Sequence, residues 1–395
     1  MVAERGFRRD PIGFVERAAR AHGAPFRLPG GALCVADPET AVQVLRDNGR
    51  RYEEVTEFLR PRGGRLADPV TQVAVGRAAR RVLRARLAGR ENLFAQVVAG
   101  LGEDSRWPHA GHVMVHDALA DVLLHPDSSP RLRHLMARCV RRHDVLIRSS
   151  NPLARVPQHL LRARLNRAVA EEVRIRRRAD SATGALPAAP KDLLEAVRTA
   201  TPADTDALEI AGAYVQLFRT SVAPVAHVVA WALLLAAHAG VDLAAVRPDR
   251  AVREALRLWP VAWLLTRTVR LPHEVAGAAV APGETVAVCV YLLHRNEDVW
   301  PEASRFRPDR WAHATARGAY LPFGAGPRAC TGGSIALDVA TALVAALSHG
   351  SRLVVHGGSA RPRVQGIITP PDFRLDRRAT TASSAQAVVS SDDGR

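Results

Sequence analysis

The sequence predicts a mainly α-helical protein with a small β region. Three observations carry this. Residues 204–239 are the longest helical candidate, and Ser221–Ala239 within them is nearly all apolar. The middle of the chain, from about Leu132 to Ile210, is helical in pattern, with one Pro/Ala/Gly break near Ser181–Pro190. Strand-like runs concentrate in Val261–Val290, where Pro-His-Glu and Pro-Gly-Glu separate them.

Ahead of these segments, Ala32–Ala36 reads as a strand and Pro38–Asn48 as a helix. Residues 60–68 (Arg-Pro-Arg-Gly-Gly-Arg-Leu-Ala-Asp) read as a loop by their glycine and proline content, and Val73–Leu87 as a strongly basic helix. The run at 221–239 is also long enough for a membrane span. Pro224 and His227 interrupt it, Arg219 sits at its edge, and no second span or aromatic belt accompanies it. A helix apolar on all sides and crossing the middle of a large core is therefore the expectation. There is no internal repeat. Residues 1–378 are expected to form one large domain. Residues 379–395, rich in Ala, Ser, Thr and Asp, are expected to be a disordered tail.

Composition narrows the function classes. With 395 residues, 47% apolar and 24% charged, the chain has globular proportions rather than those of a disordered or fibrous protein. The net charge is +16, and every basic residue except Lys191 is arginine. A nucleic-acid binder can be this basic, but no zinc-finger, helix-turn-helix or RNP signature is present, and the arginines are spread along a chain poor in aromatics. A basic face for an acidic protein partner fits better. Cys34, Cys139, Cys289 and Cys330 share no C-x-x-C spacing, which excludes a disulfide framework and a zinc ribbon and suits a reducing compartment. The first ten residues contain no apolar run of the signal-peptide kind, so a cytoplasmic location is expected.

One segment concentrates the chemistry. Residues 320–340 bring a glycine-rich loop, and within it a single cysteine, to the start of an apolar-periodic helix. Near a helix N-terminus a thiolate is favoured by the dipole and by free backbone N–H groups. Gly324, Gly326, Gly332 and Gly333 would let the backbone approach something flat and large. Phe323 would pack beneath it, and Arg328 would pair with an anion on it. A phosphate cradle lacks the Gly-Lys-Ser/Thr ending here, and a dinucleotide fingerprint lacks its third glycine. An inert core thiol is the default for a lone cysteine. The whole register outweighs that default. Phe323, Gly326, Arg328, Cys330 and Gly332 together spell Phe-x-x-Gly-x-Arg-x-Cys-x-Gly, which resembles the cysteine-ligand loop of the cytochrome P-450 family without a departure.

Two further segments agree. Glu254-Ala-Leu-Arg257 matches the Glu-x-x-Arg of that family. The spacing alone is weak, since it also starts at Glu57, Glu103, Glu171, Glu195 and Glu302, and a helix-surface ion pair explains most such matches. Only the pair at 254 precedes Trp-Pro and a β region at the family's distance from the cysteine. Phe306-Arg-Pro-Asp-Arg310-Trp then resembles the family's Phe-x-Pro-x-Arg element. The resemblance covers about residues 250–350. It implies that Glu254, Arg257 and Arg310 form a buried structural triad, whose charges need one another.

The resemblance also implies heme b as cofactor, with the Cys330 thiolate as iron ligand and Phe323, Gly324, Gly326, Arg328 and Gly332 around it. Arg328 and Arg267 match propionate-binding positions. The family's His-x-x-x-Arg in the basic helix becomes Gly76 and Arg80, so one propionate contact is expected to be missing or supplied elsewhere. The central helix lacks the family's acid–alcohol pair. Aligning on Trp231-Ala-Leu puts Ala223-Pro224 there, and aligning one turn earlier puts Arg219-Thr220 there. The second register is similar to a branch in which an arginine holds a substrate carboxylate and peroxide is the oxidant. The expected pocket includes Val222, Ala223, Val261, Leu264 and Ile367, with Arg219 and Thr220 near the reacting centre. The arginine-rich 60–68 loop suits an acidic or carrier-tethered small molecule, and equally suits solubility. The leading expectation is a soluble bacterial-type oxidase that tailors natural products, fed by ferredoxin and ferredoxin reductase, with no nucleic acid and no membrane. Peroxide-driven oxidation of a carboxylic acid and a catalytically silent activator protein are the alternatives.

Overall fold

The computed structural model describes residues 2–53, 66, 68–142, 152–183, 189–313, 318–359, 361–364 and 366–380. Most of the 60–68 loop and residues 381–395 of the predicted tail lie outside the described residues. The helices are α1 (Val2–Arg9), α2 (Pro11–His22), α3 (Pro38–Arg46), α4 (Pro69–Leu87), α5 (Glu91–Ala99), α6 (His109–Leu123), α7 (Pro130–Arg141), α8 (Pro152–Thr183), α9 (Leu193–Ala200), α10 (Ala207–His238), α11 (Pro248–Leu258), α12 (Val290–Leu293) and α13 (Gly333–Ser348). The strands are β1 (Phe26–Arg27), β2 (Leu33–Val35), β3 (Asp104–Trp107), β4 (Leu264–Thr268), β5 (His273–Val275), β6 (Ala278–Val280), β7 (Thr285–Cys289), β8 (Ser351–Gly357), β9 (Arg363–Val364), β10 (Ile368–Thr369) and β11 (Phe373–Ala379).

Local chemistry sets several of these starts. Asp37 and Asp68 cap α3 and α4 by accepting from the amides of Thr40 (2.8 Å) and Thr71 (2.9 Å), with Pro38 and Pro69 at the first helical position. Asp206 caps α10 through the Leu208 amide at 2.8 Å. From there α10 runs through the core, packed by α6, α8, α11 and α13, with Trp231 and Phe218 fully enclosed. It is long and apolar enough to cross a bilayer, and most of its apolar stretch is buried within the protein, as expected of a core helix.

The described strands form four sheets, of which β5–β6 and β9–β10 are two-stranded and two are larger. β1, β2, β7 and β4 form one, in that order, with β2 parallel to β7 (Cys34 opposite Ala287) and β4 antiparallel to β7 (Leu264 opposite Cys289). β3, β11 and β8 form an antiparallel second. The structure departs from the sequence reading in three places, the first being the β3–β11–β8 sheet outside Val261–Val290. α8 is 32 residues long, as long as α10, and runs through Pro157. Order also continues past the expected boundary at Arg378, because Ala379 pairs with Ser351 and the Thr380 amide donates to Gly350 O at 3.0 Å.

Candidate active site

The loop before α13 is closed by its own backbone. The Gly324 amide donates to Leu321 O (3.0 Å), Ala329 to Gly326 O (3.1 Å), Cys330 to Phe323 O (2.9 Å) and Gly333 to Cys330 O (3.2 Å). The Cys330 side chain is exposed. Even so, desolvation pushes its thiol pKa up, and the Gly332 amide only partly offsets that. The residue is thus open at its surface and yet crowded by protein around its sulfur.

The glycines do more packing than the sequence suggests. Gly326 has φ +73°, and a Cβ there would lie 2.5 Å from Leu45 O at the end of α3. A Cβ on Gly333 would lie 2.8 Å from the Phe323 ring, so that ring sits directly on the start of α13. Gly332 alone of the four has nothing within 4 Å of such a Cβ, and Gly324 meets Leu265 at 3.4 Å.

Glu254, Arg257 and Arg310 come together. Arg257 donates to Glu254 through Nε (3.0 Å) and Nη2 (2.8 Å), and Arg310 Nε donates to it at 2.9 Å. Both members of the α11 pair are wholly buried. The remaining guanidinium N–H groups of Arg257 reach the carbonyls of His294, Ala303 and Arg305. Sequence reasoning missed three partners, the first being the Arg307 amide, which donates to Glu254 at 3.0 Å. Trp311 Nε1 donates to Glu254 at 2.9 Å. Buried His294 links this cluster to the cysteine loop, its Nε2 accepting from the Leu321 amide (2.9 Å) while Nδ1 meets Arg257 O (3.1 Å). Burial pushes the His294 pKa down to about 3, so the ring is neutral, with the proton on Nδ1. The Trp directly after Arg310 was a usable signal, whereas nothing local marked His294.

Arg267 on β4 is half-buried. Desolvation and then the neighbouring Arg328 cation lower its pKa to about 10, and its Nη1 donates to Thr266 O at 2.9 Å. Arg80 is exposed on α4. One turn before it, a Cβ on Gly76 would meet Thr331 at 3.3 Å, and one turn after it Arg84 donates to Ser334 Oγ at 3.2 Å. This face of α4 therefore lies along the cysteine loop, and Thr331 occupies the room that a histidine at 76 would need.

On α10, Gln216, Leu217, Thr220, Ser221 and Pro224 are half-buried within an otherwise buried stretch. Their three- and four-residue spacing makes one stripe facing open space. Thr220 and Pro224, the alcohol positions of the two registers, share this stripe one turn apart. The Thr220 hydroxyl donates back to Gln216 O (2.9 Å) and Leu217 O (3.1 Å). Pro224 has no N–H for the Thr220 carbonyl, which leaves an acceptor on the stripe. Arg219 lies off it. Burial and then Arg162 of α8 lower its pKa to about 10, and it donates to Gln216 Oε1 at 3.3 Å. Val222 and Ala223 are core residues, Val261 is buried, and Leu264 and Ile367 are half-buried. The Ile368 amide donates to Val261 O at 3.0 Å, which joins the two outer pocket segments.

Residues 249–371 match the family model described as cytochrome P-450. The segment that carries the Glu254 cluster and the cysteine loop is thus similar to the cytochrome P-450 family. The fold agrees over nearly the whole chain. The retinoic acid bound cyanobacterial CYP120A1 superposes with a TM-score of 0.75 at 16% identity, covering 95% of this chain and 96% of that one. Cyclooctatin synthase of Streptomyces melanosporofaciens is 39% identical over 132 residues, which is 32% of this chain and 29% of that protein. Pentalenene oxygenase of Streptomyces avermitilis is 35% identical over 143 residues, 35% of this chain and 32% of that protein. The chain thus spans about a third of the length of these curated relatives. The cofactor of cytochrome P-450 proteins is heme, and the residues present fit it. One thiol is exposed just before the start of α13. Burial and then the Arg328 cation disfavour the charge on Arg267, an arrangement that an anionic ligand edge would relieve.

Proposed function

We propose that the chain is a heme-thiolate monooxygenase that oxidises a small, mostly apolar organic molecule in the tailoring of a natural product, with electrons from a ferredoxin in the cytoplasm. The observation that supports this most is the open yet desolvated Cys330, presented by a loop of self-bonded backbone. When bound, heme ligated by that thiolate supplies the activation of dioxygen that places one oxygen atom on the substrate and releases the other as water.

The chain's own residues have separable roles in this reading. Cys330 gives up its proton to bind iron. Phe323 covers the start of α13 beside the sulfur. Arg267, Arg328 and Arg80 hold the propionates. Glu254, Arg257 and Arg310 fix the chain that leads, through His294, into the cysteine loop. The Thr220 carbonyl and hydroxyl hold water on the α10 stripe, in place of the missing acid–alcohol pair. Leu264, Val261 and Ile367 give the pocket an apolar wall. The net charge of +16 favours an acidic electron donor. Two of the relatives above are a cyclooctatin synthase and a pentalenene oxygenase of Streptomyces, which supports cyclooctatin-like or pentalenene-like molecules as the substrate class to test.

A second reading rests on Arg219. Its half-burial beside Arg162 favours an anion, so a carboxylic acid that reaches past the Thr220 stripe, oxidised with peroxide, fits this reading. Turnover of cyclic terpenes and of fatty acids by the purified holoprotein separates the two. Product from terpenes with ferredoxin, its reductase and NADPH supports the first reading. Product only from acids with hydrogen peroxide supports the second. A heme-free protein that yields no product from either would overturn both.

A further inference from the structure

We infer that a second ligand site lies away from Cys330, in the cavity between the β3–β11–β8 sheet and the start of α6, and that it takes a small dianion such as a phosphate monoester or a dicarboxylate. The cavity measures about 760 Å³, and no residue of the cysteine loop lines it. That size lies within the range of small-molecule sites. Its lining carries Arg106, Arg363 and Arg374 against one carboxylate, Asp372, with His112 and His356 alongside.

The sheet register shows why these cations point to a ligand. Arg374 on β11 stands directly opposite Arg106 on β3 and directly opposite His356 on β8. Three basic side chains therefore form a row across three strands, a pairing that disfavours the sheet unless anions screen it. The neighbouring row supplies some relief. Asp104 pairs with Arg374, and Asp376 meets His356 at 3.0 Å. Arg363 is held by Asp372 at 2.8 Å. Arg106 is exposed and has no ion pair among the described residues. Independently, α6 begins at this cavity, lined by Pro108 and His109, with Pro108 in the cap position and no side-chain cap on its first turn.

The site also touches the central helix. His112 is wholly buried and lines the cavity, and its Nε2 lies 3.2 Å from Nε2 of His227 on α10. A ligand seated on Arg106 and Arg363 would thus lie one side chain away from the helix that carries the Thr220 stripe.

Calorimetric titration of the holoprotein with inorganic phosphate and with succinate, at constant ionic strength, tests this. The expected result is saturable binding of at least one of them, weakened about tenfold or more by Arg106→Gln, as for loss of one charge-assisted hydrogen bond. The heme absorption of the variant should be unchanged. Tighter phosphate binding identifies a phosphate monoester as the ligand class, and tighter succinate binding a dicarboxylate. The inference is overturned if neither binds saturably, if acetate binds as well as both, or if Arg106→Gln binds as the wild type does.

Discussion

Replacing Glu254 by alanine removes the acceptor around which the chain behind the cysteine loop is assembled. Its carboxylate takes five hydrogen bonds: two from Arg257, and one each from Arg310, the Arg307 amide and Trp311. In Glu254→Ala, Arg257 keeps three carbonyl partners but stays wholly buried with its charge uncompensated. Breaking a buried pair in this way costs about 3–5 kcal/mol. For a chain of this size that is a fall in Tm of roughly 4–6 °C. Urea unfolding followed by far-UV circular dichroism measures it. Glu254→Gln keeps the shape and one acceptor and should fall between wild type and Glu254→Ala. Adding Arg257→Met to Glu254→Leu should recover part of the loss, since it removes the stranded cation. A cost below about 1 kcal/mol for Glu254→Ala, the scale of a surface ion pair, would show that these charges are solvated and refute the reasoning.

Three other expectations follow from single contacts. Gly326→Ala puts a Cβ into Leu45 O at a left-handed φ and should lower stability by roughly 1–3 kcal/mol, read by the same unfolding curves; an unchanged midpoint would contradict the packing against α3. Pro224→Ala restores an N–H donor to the Thr220 carbonyl and should raise stability by about 1–3 kcal/mol while slowing turnover, and a drop in stability would count against that account of the stripe. Burial holds His227 and His294 near pKa 3, below the ordinary 6.5, so the unfolded chain binds more protons between those values. Stability from these rings is complete above pH 6.5 and is lost as pH falls through the window, by up to ~1.4 kcal/mol per unit for each. His227→Gln should make the slope shallower between pH 4 and 6, whereas an identical slope would mean that the ring is protonated in the fold.

Much of this architecture was legible in the sequence because it is local. Pro38 opens the predicted α3, the basic run Val73–Leu87 covers most of α4, and a long apolar run announces α10. The cysteine loop is a contiguous string whose register needs no tertiary information. What the sequence hid depends on partners distant in the chain. Nothing near Asp104 indicates that β3 pairs with β11, 270 residues on. The meeting of His112 and His227 needs α6 to cross α10. Gly326 and Gly333 read as room for a flat ligand, but the α3 carbonyl and the Phe323 ring fill their space, and both fillers lie outside any helical period. The two registers of α10 could not be separated by pattern. Thr220 and Pro224 are four residues apart and so lie on the same face whichever alignment is chosen.

The central claim is that the Cys330 sulfur binds the heme iron, and absorption spectroscopy of the reduced carbon monoxide complex tests it most directly. The wild-type holoprotein should show the red-shifted Soret band of thiolate ligation, and Cys330→Ala should lose that band while keeping its far-UV circular dichroism. A folded Cys330→Ala protein with the same pigment content and the same red-shifted band would contradict the account.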